Sequence, residues 1–390
     1  MNIAHLSTSI TLNQTVYNQM VYQRSKGYRV VAICPDDDWA KPLKEKDIEV
    51  IDVPYIWHDA KSSMTTAFLR TIQVCRREKF DVVHTHTLLP SLAGRIGSRL
   101  GGIPCVVHTF HSWPPHLYKN IFFKWAFYVS EVSAAHFAHA NLFQNPDDLQ
   151  SWLRIPGVPR SKATLVGNGV DFSSINKKAA SGDRRKVREE FGASDEDYVI
   201  INVARFEPQK GHSFLLQSLH HLKSQTKRKF VLVLVGDGRD QGKVEAEVKS
   251  LGLQDVAYFA GYRADVPQLL AASDVSVMTS HYEGIPRALM ESMALGLPVV
   301  ATDVPGTRSL IRADKAGFLV EYGDAPAFSG ALVKLMNDPA LATRMGKSGK
   351  ELVEHEFNEF VVAERVEAIY NHILNNKPGV LPRWNFGDSS

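Results

Sequence analysis

Two acids and two cations in the second half of this chain have the types and spacing to hold an anionic, hydroxyl-rich ligand. Glu283 and Glu291 stand eight residues apart in Ser280–Gly306, SHYEGIPRALMESMALGLPVVATDVPG. Gly284 and Pro286 punctuate a loop, Arg287–Leu295 reads as a helix stopped by Gly296, and Val299–Thr302 as a buried strand. Glu283 therefore falls in the loop and Glu291 about one turn inside the helix. A helix start between two carboxylates can hold an anion beside a hydroxyl-bearing group. Upstream, Arg205 ends the strand pattern Tyr198–Ala204, and Lys210 follows five residues later, just before Gly211 and a helix. Two such cations can neutralise a pyrophosphate and do the work of a metal ion, although a solvated cation pair is the blander alternative.

Other candidates are less specific. Phe230–Val235 runs into Gly236–Asp237–Gly238, a turn of the kind that approaches phosphates, but Gly242 comes one residue late for a dinucleotide fingerprint. No strand ending in an acid follows at the expected spacing, so neither a nicotinamide nor another cofactor is expected. His84, His86, His108 and His111 flank two strand ends. No Cys or acid joins them at ligand intervals, and no metal site is expected. Each reads as a polar residue at a strand edge, with at least one facing a ligand.

Strands and helices alternate throughout, and the strands are apolar on both faces, which calls for parallel sheets covered on both sides. In the first half the strands are Asn2–Leu6, Arg29–Cys34, Ile48–Val53, Asp81–His84, Cys105–Thr109 and Asn141–Gln144. The pattern restarts at Tyr198 after a Ser-, Ala-, Lys- and Gly-rich stretch, 173–183, which reads as a linker. Two doubly wound α/β domains follow: 1–172, joined by a C-terminal helix in about 359–390, and 173–358. Ligands of such sheets bind at the carboxyl ends of the strands, here in a cleft faced by both domains. Within the first domain, after the strand Cys105–Thr109, 113–128 holds Trp113, Tyr118, Phe122, Phe123, Trp125, Phe127 and Tyr128 with Lys119 and Lys124 interleaved. It reads either as a membrane-interface helix or as a helix packed on the sheet, and the aromatics run nearly all round it.

At 390 residues the chain suits two domains, and 44% hydrophobic with 22% charged residues is a globular composition. Net charge is only +3, so nucleic acid is not an expected partner. The charge is uneven: residues 1–180 carry 20 Lys+Arg against 14 Asp+Glu, and the remainder 25 against 28. Cys34, Cys75 and Cys105 are scattered without metal-like spacing, and Cys34 and Cys105, in apolar strand-like runs, read as buried thiols in a reducing compartment. No basic leader and no run of about 18 apolar residues is present, so a cytoplasmic protein is expected, peripheral on the inner membrane face if 113–128 binds lipid.

In order along the chain, Gly167–Asn168–Gly169–Val170–Asp171, Arg205 with Lys210, Gly236–Asp237–Gly238, Phe259–Ala260–Gly261–Tyr262, Ser280-x-x-Glu283–Gly284 through Glu291 to Gly296-x-Pro298, and Asp338–Pro339…Met345–Gly346 form an ordered set. The chain thereby resembles the retaining, GT-B-fold glycosyltransferases of family GT4 (group 1) over essentially its full length. Its first half, with His84–Thr85–His86–Thr87 and Val107–His108–Thr109–Phe110–His111, is most similar to the branch that builds capsule, exopolysaccharide and lipid-linked glycans.

The resemblance implies transfer of a sugar from a nucleotide-sugar donor, UDP-linked, to an acceptor hydroxyl, with retained anomeric configuration and no covalent enzyme intermediate. It implies that Glu283 binds donor-sugar hydroxyls with help from Gly284, Ile285 and Pro286, and that Glu291 holds the ribose. Arg205 and Lys210 would stabilise the leaving diphosphate. Gly261, Tyr262 and Arg263 would lie near the base, and His111 would contact the sugar. The nucleotide would sit on the second domain and the sugar-bearing acceptor, lipid-linked or soluble, on the first. The sequence departs from the family's pattern at Ser7–Thr11, where relatives have a glycine-rich loop, and at Ile285, Ser112 and Thr307–Ser309. Those positions leave sugar and acceptor identity open. Alternatives are a UDP-sugar 2-epimerase of the same fold and, against the imperfect glycine turn, a nicotinamide-dependent oxidoreductase.

Overall fold

A computed structural model describes residues 1–55, 60–113, 120–312, 315–375, 380–384 and 386. The chain divides into two compact units, Met1–Asn168 with Glu359–Asn385, and Gly169–Asn358 with Phe386–Ser390. The sequence pattern alone places this division at 172/173, four residues later.

The first unit is a seven-stranded sheet: β1 (Asn2–Leu6), β2 (Arg29–Cys34), β3 (Glu49–Asp52), β4 (Val82–His86), β5 (Cys105–Phe110), β6 (Ala140–Phe143) and β7 (Ala163–Leu165), in the order β3-β2-β1-β4-β5-β6-β7. Every pairing is parallel. β4, β5 and β6 are buried from end to end, as strands covered by helices on both faces must be. Cys34, Cys75 and Cys105 are buried free thiols, and burial pushes each of them up in pKa. Arg95 and Glu131 pair at 2.5 Å with their side chains almost wholly buried, a contact that joins the helices Leu88–Leu100 and Ile121–Phe137.

The helix Glu359–Leu374 closes the face of β1, β4 and β5. Val366, Ile369 and Tyr370 pack on Ile3, Val82, Cys105 and Val107. Arg365 donates to the Val166 carbonyl at 3.1 Å.

The second unit is a six-stranded sheet: β8 (Tyr198–Val203), β9 (Phe230–Val235), β10 (Ala257–Gly261), β11 (Val275–Met278), β12 (Val299–Thr302) and β13 (Gly317–Val320). Their order is β10-β9-β8-β11-β12-β13, again all parallel. Chain order reverses beside β1 in the first sheet and beside β8 in the second. The crevice at the carboxyl ends of β8 and β11 is thus the place to look for a ligand.

One expectation needs correction. The stretch 173–183 is not a linker. Asp171 accepts a hydrogen bond from the Ser174 N–H at 2.8 Å and so caps a helix, Phe172–Ala179. Ile175 of that helix enters the core with Met290 and Leu289, and a second helix begins at Arg184. The polar composition hid a short amphipathic helix whose one apolar edge, Phe172 and Ile175, is enough to dock it.

The aromatic segment follows the reading of a helix packed on the sheet, with an exposed apolar face that reading did not include. Residues 114–119, which include Tyr118 and Lys119, lie outside the described residues; the helix is Ile121–Phe137. It buries Phe127, Glu131, Ala134 and Ala135. Phe122 is 81% and Trp125 61% exposed, with Ile121 and Val129 beside them on the same helical face. The helix is docked on the sheet and still presents an apolar outer face.

Candidate active site

The loops after β8 and β11 are locked together by backbone-level contacts, and that locking positions the charged pair. Pro208–Lys210 forms a tight turn ending at Gly211, which has φ +64°. A Cβ on Gly211 would sit 2.0 Å from the Thr279 carbonyl oxygen, so only glycine lets the turn close on β11. Thr279 Oγ1 donates to the Lys210 carbonyl at 3.1 Å, the His281 N–H to the Gln209 carbonyl at 2.8 Å, and Gln209 Nε2 to the Tyr282 carbonyl at 2.9 Å. The result is that Lys210 Nζ reaches Glu283 Oε1 at 2.6 Å, with both side chains largely buried.

Glu283 is fixed from the other side too. Thr302 Oγ1 donates to the Ser280 carbonyl at 2.6 Å. A Cβ on Gly306 would lie 2.0 Å from the Gly284 carbonyl oxygen, so the 283–285 loop rests directly on the turn after β12, with Ile285 buried beneath it. Pro286 caps the helix Arg287–Ala294, whose Arg287 donates to the Gly169 carbonyl at 3.0 Å.

Glu291 on this helix is half-buried and makes no hydrogen bond to any described residue. Burial pushes its carboxyl above the usual range, while Arg287 and Lys178 pull the other way. A shielded carboxylate with unfilled acceptor capacity suits vicinal hydroxyls.

Arg205, by contrast, is exposed and forms no ion pair among the described residues. It leaves β8 next to the Gly236–Gly238 turn, where the glycines have a steric purpose. A Cβ at Gly236 would meet the Ala204 carbonyl oxygen at 2.2 Å, and one at Gly238 the Phe206 carbonyl oxygen at 2.5 Å. The turn serves backbone packing beside Arg205.

Gly261, with φ +65°, accepts from the Gly236 N–H at 2.8 Å, and Tyr262 beyond it is 78% exposed. Arg263 is committed elsewhere: Nε and Nη2 donate to the two oxygens of Asp265 at 2.8 Å each, and Nη1 to Glu190. Its guanidinium is paired within this unit, and Tyr262 is the most exposed member of the trio.

In the first unit the strand-end histidines gather, and a residue not singled out in the sequence joins them. Register places His5 of β1 opposite His84 of β4. His5 Nδ1 and His86 Nε2 are 3.1 Å apart, and His86 Nδ1 and His111 Nε2 3.2 Å. The rings of His84 and His86 lie 4.2 Å apart, centroid to centroid. Nitrogens of His5, His84 and His86 lie within 4.8 Å of one another. Each ring nitrogen of the three already has a protein partner, the remaining ones being Gln23, Tyr370 and Thr109, so the cluster is a hydrogen-bonded network rather than a ligand set. The signal for His5 was strand pairing, which a single sequence does not print.

Burial lowers the pKa of all these rings, to about 4 for His5 and His111, and well below the ordinary value for His84, His86 and His108. The folded state therefore binds fewer protons than the unfolded state below pH 6.5. Stability is full above about pH 6.5 and falls as pH drops toward 4. Thermal melts at pH 7 and pH 5 are expected to show a clearly lower midpoint at pH 5; equal midpoints would contradict this assignment.

Two family models match the chain, "Glycosyltransferase Family 4" over residues 12–174 and "Glycosyl transferases group 1" over residues 183–352. Together they cover both units. The chain belongs to the family 4, group 1 glycosyltransferases. Its relatives include the UDP-Gal:alpha-D-GlcNAc-diphosphoundecaprenol alpha-1,3-galactosyltransferase of Escherichia coli, 29% identical over 78% of this chain and 79% of that protein. The capsular polysaccharide biosynthesis glycosyltransferase CapM of Staphylococcus aureus is 25% identical over 97% of this chain and 98% of its own length. The fold is GT-B: the crystal structure of Anabaena HepE in complex with UDP matches at a TM-score of 0.80, with 20% identity, covering 94% of this chain and 98% of that one. As a glycosyltransferase of this family, the protein uses a nucleotide-sugar donor. Both matching models are transferase models, and the epimerase alternative gains no support from them.

Proposed function

We propose that this glycosyltransferase moves a sugar from a UDP-linked donor to a hydroxyl of a sugar-bearing acceptor, with retention at the anomeric carbon and without a metal ion or other cofactor. The observation that carries the reading is the Lys210–Glu283 pair, held at 2.6 Å at the carboxyl ends of β8 and β11 with exposed Arg205 nearby in sequence. Arg205 and Lys210 supply positive charge for the diphosphate as it leaves. Glu283 binds hydroxyls of the donor sugar beside Gly284 and Ile285, Glu291 takes the ribose, and Tyr262 with Gly261 borders the base. On the first unit, His111 is assigned a contact to the donor sugar. Loss of the leaving group and attack by the acceptor hydroxyl occur on one face, with no covalent intermediate. UDP is favoured by the donor in the name of the Escherichia coli relative.

A screen of UDP- and GDP-sugars that reads nucleotide release tests the donor, and NMR of the product's anomeric proton tests retention. Release of GDP in preference to UDP, an inverted product, or activity abolished by a chelator would each overturn its part of the proposal.

The same relative's name carries a lipid diphosphate, which directs attention to the outer face of Ile121–Phe137. No helix among the described residues is long and apolar enough to cross a membrane. Phe122 and Trp125 instead suit insertion at a lipid interface, where each buried aromatic contributes about 1.5–3 kcal/mol. The expected result is co-sedimentation with anionic vesicles, reduced about tenfold or more by Phe122→Glu with Trp125→Glu. Absence of binding by the wild type would favour a soluble acceptor.

A further inference from the structure

The proposed donor site is assigned one histidine, His111, and the structure gives that ring a series of partners running into the core. His111 follows β5 and is half-buried, whereas His86 and His5 behind it are wholly buried. At the outer end Gln144 Nε2 lies 3.0 Å from His111 Nδ1, and at the inner end His5 Nε2 lies 2.7 Å from Gln23 Oε1.

These two amides set the direction of every bond between them. The Gln144 N–H donates to His111 Nδ1, so the proton of His111 must be on Nε2, where it is donated to His86 Nδ1. The His86 Nε2–H is then donated to His5 Nδ1, and the His5 Nε2–H to the Gln23 carbonyl oxygen. The reverse arrangement would need both amides turned end for end, so the amide orientations and the three tautomers stand or fall together. One tautomer is therefore selected for three imidazoles at once, all neutral.

We propose that Gln144, His86, His5 and Gln23 are positioning residues for His111, a one-way hydrogen-bonded chain that fixes its tautomer and ring orientation against the donor sugar. This rests on reading His111 as a sugar contact. The chain does not conduct a net proton, because both ends are amides that neither take nor release one near neutral pH. With both nitrogens of His111 committed, the ring meets the sugar as a neutral, immobile surface and not as an acid or base. The groups that act on the chain are other imidazoles: His84, whose ring packs on His86 and whose nitrogens bond Tyr370 and Thr109, and His108, held by Thr85. Arg95 acts on His108 from the adjoining helix and adds to the bias against a charged ring.

The test uses the full chain with 15N-labelled imidazoles. Long-range 15N–1H spectra of the wild type are expected to show His5, His86 and His111 as neutral Nε2–H rings from pH 5.5 to 8. A protonated ring, or an Nδ1–H tautomer, at any of the three would overturn the proposal without any variant being made. Gln144→Glu then replaces the donor by a carboxylate that draws a proton to His111 Nδ1. The expected outcome is a shifted His111 resonance alone, with a new rising limb in the kcat–pH profile between pH 5 and 8 as the ring loses its charge. At pH 6 kcat should fall about tenfold, which corresponds to one pH unit below the new ionisation, while the donor KM stays within about twofold. A folded Gln144→Glu protein with an unshifted His111, or with a wild-type pH profile, would overturn the chain's role. Full transfer by His111→Ala would overturn the sugar contact itself, and the wild-type tautomers judge the chain separately.

Discussion

Glu283→Ala is expected to lose transfer by at least about 10²–10³-fold in kcat, with the protein still folded, because the lost group meets the substrate where charge and geometry change most. The loop that carries Glu283 is held by bonds of its neighbours: Thr302 to the Ser280 carbonyl, Gln209 to the Tyr282 carbonyl, and Gly306 against the Gly284 carbonyl. None of these involves the Glu283 side chain, so the backbone should keep its course without it. The substitution also frees Lys210, whose ammonium pairs with Glu283 at 2.6 Å. Nucleotide binding is therefore expected to survive and to tighten, since the diphosphate no longer competes with a carboxylate for that ammonium. Circular dichroism, calorimetry with UDP, and turnover measured on the same preparation separate these effects. Wild-type turnover in the folded variant would remove Glu283 from the donor site.

The second large effect is on binding. Lys210→Ala is expected to weaken UDP binding by about 1–3 kcal/mol, or roughly 5–150-fold, the range for a lost hydrogen bond to a charged group. Two causes act in the same direction. The diphosphate loses a cation, and the largely buried Glu283 carboxylate loses its counter-charge and faces an incoming anion. Double substitution with Glu283→Gln distinguishes them. If repulsion dominates, the double variant binds UDP better than Lys210→Ala alone; if the lost cation dominates, the two bind alike. Calorimetric affinity equal to that of the wild type in Lys210→Ala would contradict the assignment of the diphosphate.

Lys210 and Glu283 neutralise each other in the structure. Under the proposed function, a donor would offer a phosphate to one and hydroxyls to the other. Glu291, by contrast, has nothing to give up, and its raised carboxyl pKa reflects a shielded position waiting for polar partners. Arg205 stays exposed and available for an approaching anion. The four residues thus differ in readiness, a difference that their charges and spacing in the sequence do not show.

The order of apolar strands and helices, read from the chain alone, was enough for two parallel sheets, because strands buried on both faces leave little room for polar alternation. Glu283 and Glu291 were legible for a local reason. Their spacing is set by one loop and one helix, and Pro286 and Gly296 mark where that helix starts and stops. The family motif added roles to positions already marked by their chemistry.

What the sequence left undecided depended on distant partners. Stretch 173–183 looked like a linker because its apolar edge is only Phe172 and Ile175, and the core that receives them comes from residues more than a hundred positions later. Arg263 looked like a candidate for ligand binding until Asp265 and Glu190 were found to hold its guanidinium. His5 carried no local mark at all. It entered the histidine network because β1 pairs in register with β4, bringing His5 beside His84 and within reach of His86, and because β5 delivers His111 to the same end of the sheet. Local composition and spacing, which depend on neighbours along the chain, determined the architecture and the paired glutamates. Only the tertiary structure decided which charges are already paired and which tautomer a buried ring must adopt, because both depend on atoms that meet across the sheet.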